Sequence, residues 1–177
     1  MSARHFNATA RLLHWSMAAM IIAMLFIGVG MMASLTARPW LIGLHRPLGI
    51  AILLLAVVRL VNRLRHAPPP LPADLPPLQV FAARVSHWLL YALMFAMPVL
   101  GWATASASGF PVRMFGSVNL PAIVPHDAVL YGYLRSAHGL LGMLLFAVVL
   151  LHLAAALFHA WVRRDEVFPS MARGTSK

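Results

Sequence analysis

The sequence predicts an all-α integral membrane protein, a bundle of four helices that cross the bilayer. Of its 177 residues, 61% are hydrophobic and 10% are charged, whereas an ordinary soluble domain has about 25% charged residues. A transmembrane helix needs about 20 mostly apolar residues, and residues 12–37, 85–112 and 136–162 contain no Asp, Glu, Lys or Arg. A fourth apolar stretch runs from Trp40 to about Val58 and is interrupted only by Arg46.

These stretches predict spans at roughly 10–34, 40–63, 83–105 and 134–162, within a single transmembrane domain that covers residues 1–177. The first stretch resembles a signal peptide because Arg4 and Arg11 precede it, but a signal-peptide core has only about 7–15 apolar residues. Since this stretch is longer and contains a histidine, we expect a mature helix. Residues 66–77 (HAPPPLPADLPP) predict an extended, proline-rich connector on the inner side.

The basic residues predict the orientation. If the N-terminus is cytoplasmic, ten of the 14 Lys and Arg residues lie on the inner side, and four lie outside: Arg38, Arg46, Arg113 and Arg135. Cytoplasmic segments retain the excess of Lys and Arg, so both termini are expected in the cytoplasm. This bias also accounts for the net charge of +10. No basic tract interleaved with aromatic residues indicates nucleic-acid binding.

The chain has no cysteine, which excludes disulfides, thiolate metal sites, iron–sulfur clusters and covalent CxxCH haem attachment. Histidines are therefore the candidate ligands of a redox cofactor. Ionisable residues inside membrane spans are costly and indicate function. Six of the nine histidines lie in the spans or at their ends: His14, His45, His87, His138, His152 and His159.

The spacing of the histidines predicts sites at two depths. His138 and His152 are 14 residues apart, so on one helix they share a face and lie about 21 Å apart along the axis. His45 matches His138 in depth on the outer side, and each is followed four residues later by glycine, Gly49 and Gly142 respectively.

Four histidines compete on the inner side, namely His14, His87, His152 and His159. Spans 1 and 3 both open with R-x-x-H-W, and this symmetry alone would pair His14 with His87. We prefer to pair His14 with His152. His152 lies deeper in the hydrocarbon region than the other inner candidates, so leaving its imidazole without a partner would cost the most free energy. Two imidazoles fill both axial positions of a haem iron, which then passes electrons and does not bind oxygen. The cationic partners expected for haem propionates are Arg11, Arg59 and Arg63 at the inner ends and Arg46 and Arg135 at the outer ends.

Several motifs together resemble the bacterial di-haem cytochrome b561 family. They are R-x-x-H-W in span 1, H-x-x-x-G and VVRLVNRLR in span 2, SHWLLYALMFAMPVLGW in span 3 and H-x13-H-x6-H in span 4. The resemblance implies two haems b in a bacterial inner membrane and electron exchange with a quinone. It also implies iron ligation by His14 with His152 and by His45 with His138, and it places His87 and His159 near a quinone.

We therefore expect a multi-pass oxidoreductase or electron carrier that links a small periplasmic one-electron donor, such as superoxide, to ubiquinone. Reverse flow from quinol to an outer acceptor is one alternative. A cytochrome b subunit of a larger complex, such as a hydrogenase, is another. A histidine-lined channel or proton transporter belongs to a different class, and predicts a colourless protein. The expected partners are membrane lipid, quinone and the small electron donor, and the sequence is also compatible with a homodimer.

The orientation can be tested by fusing alkaline phosphatase to the C-terminus. We expect an inactive fusion, because the enzyme folds only in the periplasm and the excess of Lys and Arg retains this end in the cytoplasm. A fusion after residue 120, in the predicted outer loop, is the matched control and should be active. Activity of the C-terminal fusion would contradict the orientation and would exchange the inner and outer sides.

Overall fold

Four long helices form most of the chain, which confirms the predicted all-α membrane bundle. The computed structural model describes residues 5–110, 112–114 and 118–173. The helices are α1 (Ala8–Ala33), α2 (Arg38–Arg65), α3 (Pro77–Ala107) and α4 (Ala128–Leu157), then a π-helical turn (Phe158–Arg163) and the short α5 (Val167–Ala172). Two strands, β1 (Arg113–Met114) and β2 (Val118–Asn119), pair antiparallel between α3 and α4.

Helices α3 and α4 each begin six residues before the predicted spans. Helix α3 begins at Pro77, where the fixed φ of proline suits the first helical turn and its missing N–H removes no helix hydrogen bond. Helix α4 begins after Asp127, whose carboxylate accepts the backbone N–H of Leu130 at 2.7 Å. These first turns were missed because they extend beyond the predicted apolar segments.

The outer surfaces of the four helices are apolar. Each helix, with α4 continued through the π-helical turn to Arg163, is long and apolar enough to span a membrane. Large hydrophobic side chains remain uncovered by protein, including Phe26 at 74% exposed and Met32 at 84%. Exposed apolar surface of this extent would be unstable in water, so the bilayer covers it.

The buried core lies at mid-depth, between the two predicted histidine levels. One cluster joins the three helices α1, α2 and α3, and the other joins α3 and α4. Along α4, Leu145 and Val148 fall between His138 and His152. The members are Met17, Ile52, Ala56, Tyr91 and Met94 in the first cluster, and Leu93, Leu145 and Val148 in the second.

Helices that follow one another along the chain pack together, α1 with α2, α2 with α3 and α3 with α4. By contrast, among the described residues α4 has at most a few close backbone contacts with α1 or α2. The bundle is therefore less tightly closed between α4 and these two helices than between neighbours. The preferred pairs, His45 with His138 and His14 with His152, lie across these looser junctions.

Both described ends of the chain lie at the same end of the bundle. The N–H of Phe6 donates to the carbonyl of Ser170 at 3.1 Å. The indole N–H of Trp15 donates to the Met171 carbonyl at 3.2 Å, and its ring meets Phe168 edge-on. Helix α5, which the sequence did not predict, thus packs against the start of α1. We call this the inner end, following the predicted orientation.

The loop between α3 and α4 folds back over the opposite end of α3. The indole N–H of Trp102 donates to the Pro121 carbonyl at 2.9 Å, and the Ile123 N–H donates to the Ser106 hydroxyl at 3.2 Å. Gly109 has a positive φ of 76°, and a Cβ there would lie 3.1 Å from Nδ1 of His126. Glycine is therefore required at this turn.

Candidate functional site

The outer site is formed by one histidine from α2 and one from α4. The rings of His45 and His138 lie with their centroids 6.0 Å apart and their planes inclined by 69°. Nδ1 of each ring is buried; that of His45 has no hydrogen-bond partner among the described residues, and the His138 ring lies close to the Met97 backbone. A buried polar group without a partner costs about 1–3 kcal/mol, so two buried imidazoles across one helix junction indicate a site that binds another group.

The spacing of this pair fits a metal held between two imidazoles. With metal–nitrogen bonds of about 2 Å, opposed imidazoles place their ring centres about 6 Å apart. The junction between α2 and α4 is one of those without close backbone packing. A flat macrocycle needs such clearance on both sides of the metal. The residues present at the outer site therefore fit a bis-histidine haem.

A glycine on α3 makes room for the outer imidazole of α4. A Cβ on Gly101 would lie 3.2 Å from Cε1 of His138. The two glycines expected to free this space have other neighbours, since a Cβ on Gly49 would meet the Met24 methyl group and one on Gly142 would meet that of Met97. Spacing along one helix did not reveal Gly101, because the contact joins two helices.

At the inner level three histidines converge. His152 on α4 lies 6.2 Å from His14 on α1 and 5.7 Å from His87 on α3, between ring centroids. Both distances are compatible with a shared metal. However, α3 and α4 pack closely, whereas α1 and α4 do not. The backbones therefore lie less close together at the junction between His14 and His152 than at the junction between His87 and His152.

Two arginines predicted to bind propionates contact protein groups in this cluster. One terminal nitrogen of Arg59 lies 3.0 Å from Nδ1 of His14, and its Nε donates to the Tyr91 hydroxyl at 3.3 Å. Because a guanidinium is only a donor, Nδ1 of His14 is the acceptor. The guanidinium of Arg63 lies over the rings of Tyr91 and Trp88, at 5.4 and 5.9 Å from their centroids. Arg11 donates to the Phe6 carbonyl at 2.7 Å.

The outer end is positively charged among the described residues. Arg46 is partly buried one position beyond His45, and the exposed Arg135 donates to the Tyr131 hydroxyl at 3.1 Å. The single acid of this end, Asp127, caps the N-terminus of α4. The described basic residues of the outer end are Arg38, Arg46, Arg113 and Arg135.

The sixth histidine of the spans lies apart from the inner cluster, in the π-helical turn. Nδ1 of His159 lies 2.7 Å from Oδ2 of Asp165, which also accepts from Nε of Arg163 at 3.0 Å. A terminal nitrogen of Arg163 donates to Asp74 at 2.7 Å. Partial burial alone would raise the pKa of Asp165, but hydrogen bonds from His159, the Val167 N–H and Arg163 lower it below its ordinary value. The sequence analysis missed Asp165, although only four acidic residues occur in the chain.

The chain is similar to known proteins over nearly its whole length. A family model described as prokaryotic cytochrome b561 matches residues 5–174. The chain is 32% identical over 160 residues to the probable superoxide oxidase CybB of Yersinia pestis, covering 90% of each chain. It is 28% identical to cytochrome b561 homolog 2 of Escherichia coli K12, covering 89% of this chain and 86% of that one. Cytochrome b561 homolog 1 of the same organism is 26% identical, with 94% and 96% covered.

Four membrane-spanning helices, histidine pairs at two depths and a family match over nearly the whole length lead to one assignment. The chain belongs to the prokaryotic cytochrome b561 family, and is a haem-binding electron-transfer protein of the bacterial inner membrane.

Proposed function

We propose that the chain holds two haems b and links a one-electron donor on the periplasmic side to ubiquinone on the cytoplasmic side. The observation that carries this proposal is the presence of facing histidines at both levels of the bundle, with ring centroids 6.0 and 6.2 Å apart. The two histidines of α4 lie on one unbroken helix, about 21 Å apart by helical rise. Sites at these two depths would connect the two sides of the membrane.

In this proposal His45 and His138 hold the outer haem, and His14 and His152 hold the inner haem. The ring spacing of 6.0 Å across the loose junction between α2 and α4 supports the outer pair, and the loose junction between α1 and α4 supports the inner pair over His87 with His152. When bound between two imidazoles, haem b supplies one-electron transfer without an open position for oxygen. The protein supplies the imidazoles, their depth and the apolar core that separates the two levels.

Arg59 would change partners when the inner site is filled. An imidazole that binds a metal through Nε2 carries its proton on Nδ1, and this N–H cannot accept from the guanidinium seen at 3.0 Å. A metal held by His14 in this way would therefore release Arg59 beside the site. Its guanidinium, together with that of Arg63, would then bind the acidic groups of the inner cofactor, and Arg46 and Arg135 would do so at the outer end.

The positive outer end favours an anionic donor. The outer end has four arginines and one acidic residue, Asp127, which caps helix α4. This excess of positive charge raises the local concentration of small anions and their encounter rate. The relative in Yersinia pestis is named a probable superoxide oxidase, which agrees with superoxide as this donor. Two superoxide anions, one quinone and two protons would then give two molecules of oxygen and one quinol.

At the inner end, His87 and His159 are left without iron and are proposed to serve a bound quinone. Reduction of a quinone to a quinol requires protons as well as electrons, and imidazoles donate protons near neutral pH. His159 lies at the inner end of the fourth span, 16% exposed in its side chain. It is therefore close to cytoplasmic water as well as to the membrane interior.

The ligand assignment predicts distinct losses of haem. The purified protein should contain two haems b with low-spin spectra, whereas a channel of the alternative class would be colourless. His138→Ala should lose the outer haem and His152→Ala the inner one, because each removes one axial ligand, and His87→Ala should keep both. Retention of both haems by His152→Ala with loss of one in His87→Ala would contradict the inner pairing.

The anionic-donor proposal predicts a dependence on salt and on single outer charges. Reduction of the haems by superoxide in stopped flow should slow as ionic strength rises, because ions screen the attraction. Arg135→Gln should slow it on the order of two- to fivefold at low salt. The exposed inner residue Arg84 provides the matched control, and Arg84→Gln should leave the rate unchanged. A rate indifferent to both salt and Arg135 would contradict an anionic donor.

The quinone proposal predicts a defect confined to the inner end. A double variant, His87→Ala with His159→Ala, should keep both haems and their reduction by the outer donor. Its quinone reduction should fall at least about tenfold, since a positioned general acid contributes on the order of 10²–10⁴. His66→Ala, which changes an exposed histidine in the connector, is the control. Undiminished quinone reduction in the double variant would remove both residues from the quinone site.

A further inference from the structure

We propose that Asp165 is a positioning residue for His159. Its carboxylate holds the ring proton on Nδ1 and leaves Nε2 as the nitrogen that serves the quinone. This inference rests on the proposed role of His159 and adds a residue to it. The distance carries the proposal, since Nδ1 of His159 lies 2.7 Å from Oδ2 of Asp165.

The surroundings of Asp165 identify it as an acceptor. Its side chain is 15% exposed and receives hydrogen bonds from His159, from Nε of Arg163 and, at 3.1 Å, from the N–H of Val167. The adjacent guanidinium and the N–H favour the ionised carboxylate, and the pKa of Asp165 is accordingly lowered. An ionised carboxylate can only accept, so Nδ1 of His159 must donate. Among the described residues, Nε2 of His159 makes no hydrogen bond.

The backbone between the two residues reverses so that they meet. In a continuous α-helix, residues six apart point about 120° away from each other. Here the helix widens into a π-helical turn over Phe158–Arg163, and Arg164 follows with φ 55° and ψ 39°. This left-handed conformation is uncommon for a residue other than glycine. The reversal returns Asp165 to the ring of His159 and starts α5 two residues later.

Arg163 binds the carboxylate of Asp165 and also that of a second acidic residue, which provides a control. Its Nε binds Asp165, while a terminal nitrogen binds Asp74 of the proline-rich connector at 2.7 Å. The side chain of Asp74 is 76% exposed, and exposed ion pairs contribute little. Asp74 does not contact His159 by any described hydrogen bond. It is therefore a second acidic neighbour of Arg163 that lies outside the proposed pair.

The pair has a defined chemical role. Two electrons from the outer donor and two protons convert the quinone to the quinol. His159, protonated on both nitrogens beside the carboxylate, gives the Nε2 proton to a quinone oxygen. It is then the neutral ring that keeps its proton on Nδ1, and Nε2 regains a proton from cytoplasmic water. Asp165 remains ionised throughout, as an orienting carboxylate does beside a catalytic histidine.

The test compares Asp165→Asn with Asp165→Glu and with the control Asp74→Asn. In ¹⁵N-histidine NMR of the reduced, haem-loaded protein, assigned with His159→Gln, the neutral ring of His159 should carry its proton on Nδ1. Asp165→Asn should shift it toward Nε2, because an amide can also donate to Nδ1. Quinone reduction should fall about tenfold in kcat with an unchanged KM and haem spectrum. Asp165→Glu should recover part of the loss, and Asp74→Asn should match the wild type in both measurements.

The outcomes separate this inference from the proposed function. A wild-type ring with its proton on Nε2, or a tautomer that Asp165→Asn leaves unchanged, would overturn the positioning role whatever the activity. A shifted tautomer with full quinone reduction, in a protein that His159→Gln slows, would also overturn it. If His159→Gln itself reduces quinone at the wild-type rate, the proposed quinone site fails, and the tautomer measurement still decides whether Asp165 orients the ring.

Discussion

The structure depends on the cost of placing imidazoles inside the membrane. A polar ring in the hydrocarbon region needs a partner, and such residues are usually functional. At the outer level, the buried rings of His45 and His138 lie 6.0 Å apart across the junction of α2 and α4. Most other features of the bundle follow from this constraint. The helices are long enough to carry two levels, the apolar core fills the interval between them, and α4 stays away from the backbones of α1 and α2.

Much of this arrangement could be predicted from the sequence because it follows from periodicity. Uncharged stretches of helical length predicted four spans, and the 14-residue separation of His138 and His152 predicted two levels on one face. The pairing of His45 with His138 was predicted from their similar depth in the membrane. In the structure their ring centroids lie 6.0 Å apart. The first turns of α3 and α4 were missed because they lie outside the predicted apolar segments.

Contacts that join distant segments could not be predicted in this way. The closeness of Gly101 to His138 depends on how α3 meets α4, and the bond from Arg59 to His14 depends on how α2 meets α1. Asp165 was missed for another reason. The sequence analysis assumed a regular helix to the end of the fourth span, whereas the π-helical turn and the left-handed Arg164 change the direction of the chain. Local patterns do not reveal such a reversal.

The two ends of the bundle differ in the chemistry that they offer. The outer end presents arginines with its one described acid used as a helix cap, which suits attraction of an anion. At the inner end, Asp74 and Asp165 both bind Arg163, and Asp165 also binds His159. This arrangement suits proton transfer. This asymmetry supports the proposed electron path from an outer donor to an inner quinone.

The central claim is that iron is held at two depths by particular histidine pairs. Iron anomalous scattering from crystals of the purified protein tests it most directly, because it locates the metal without assuming a ligand. We expect two iron positions, one between His45 and His138 and the other between His14 and His152. A single iron position, or an inner iron bound by His87 in place of His14 or His152, would contradict it.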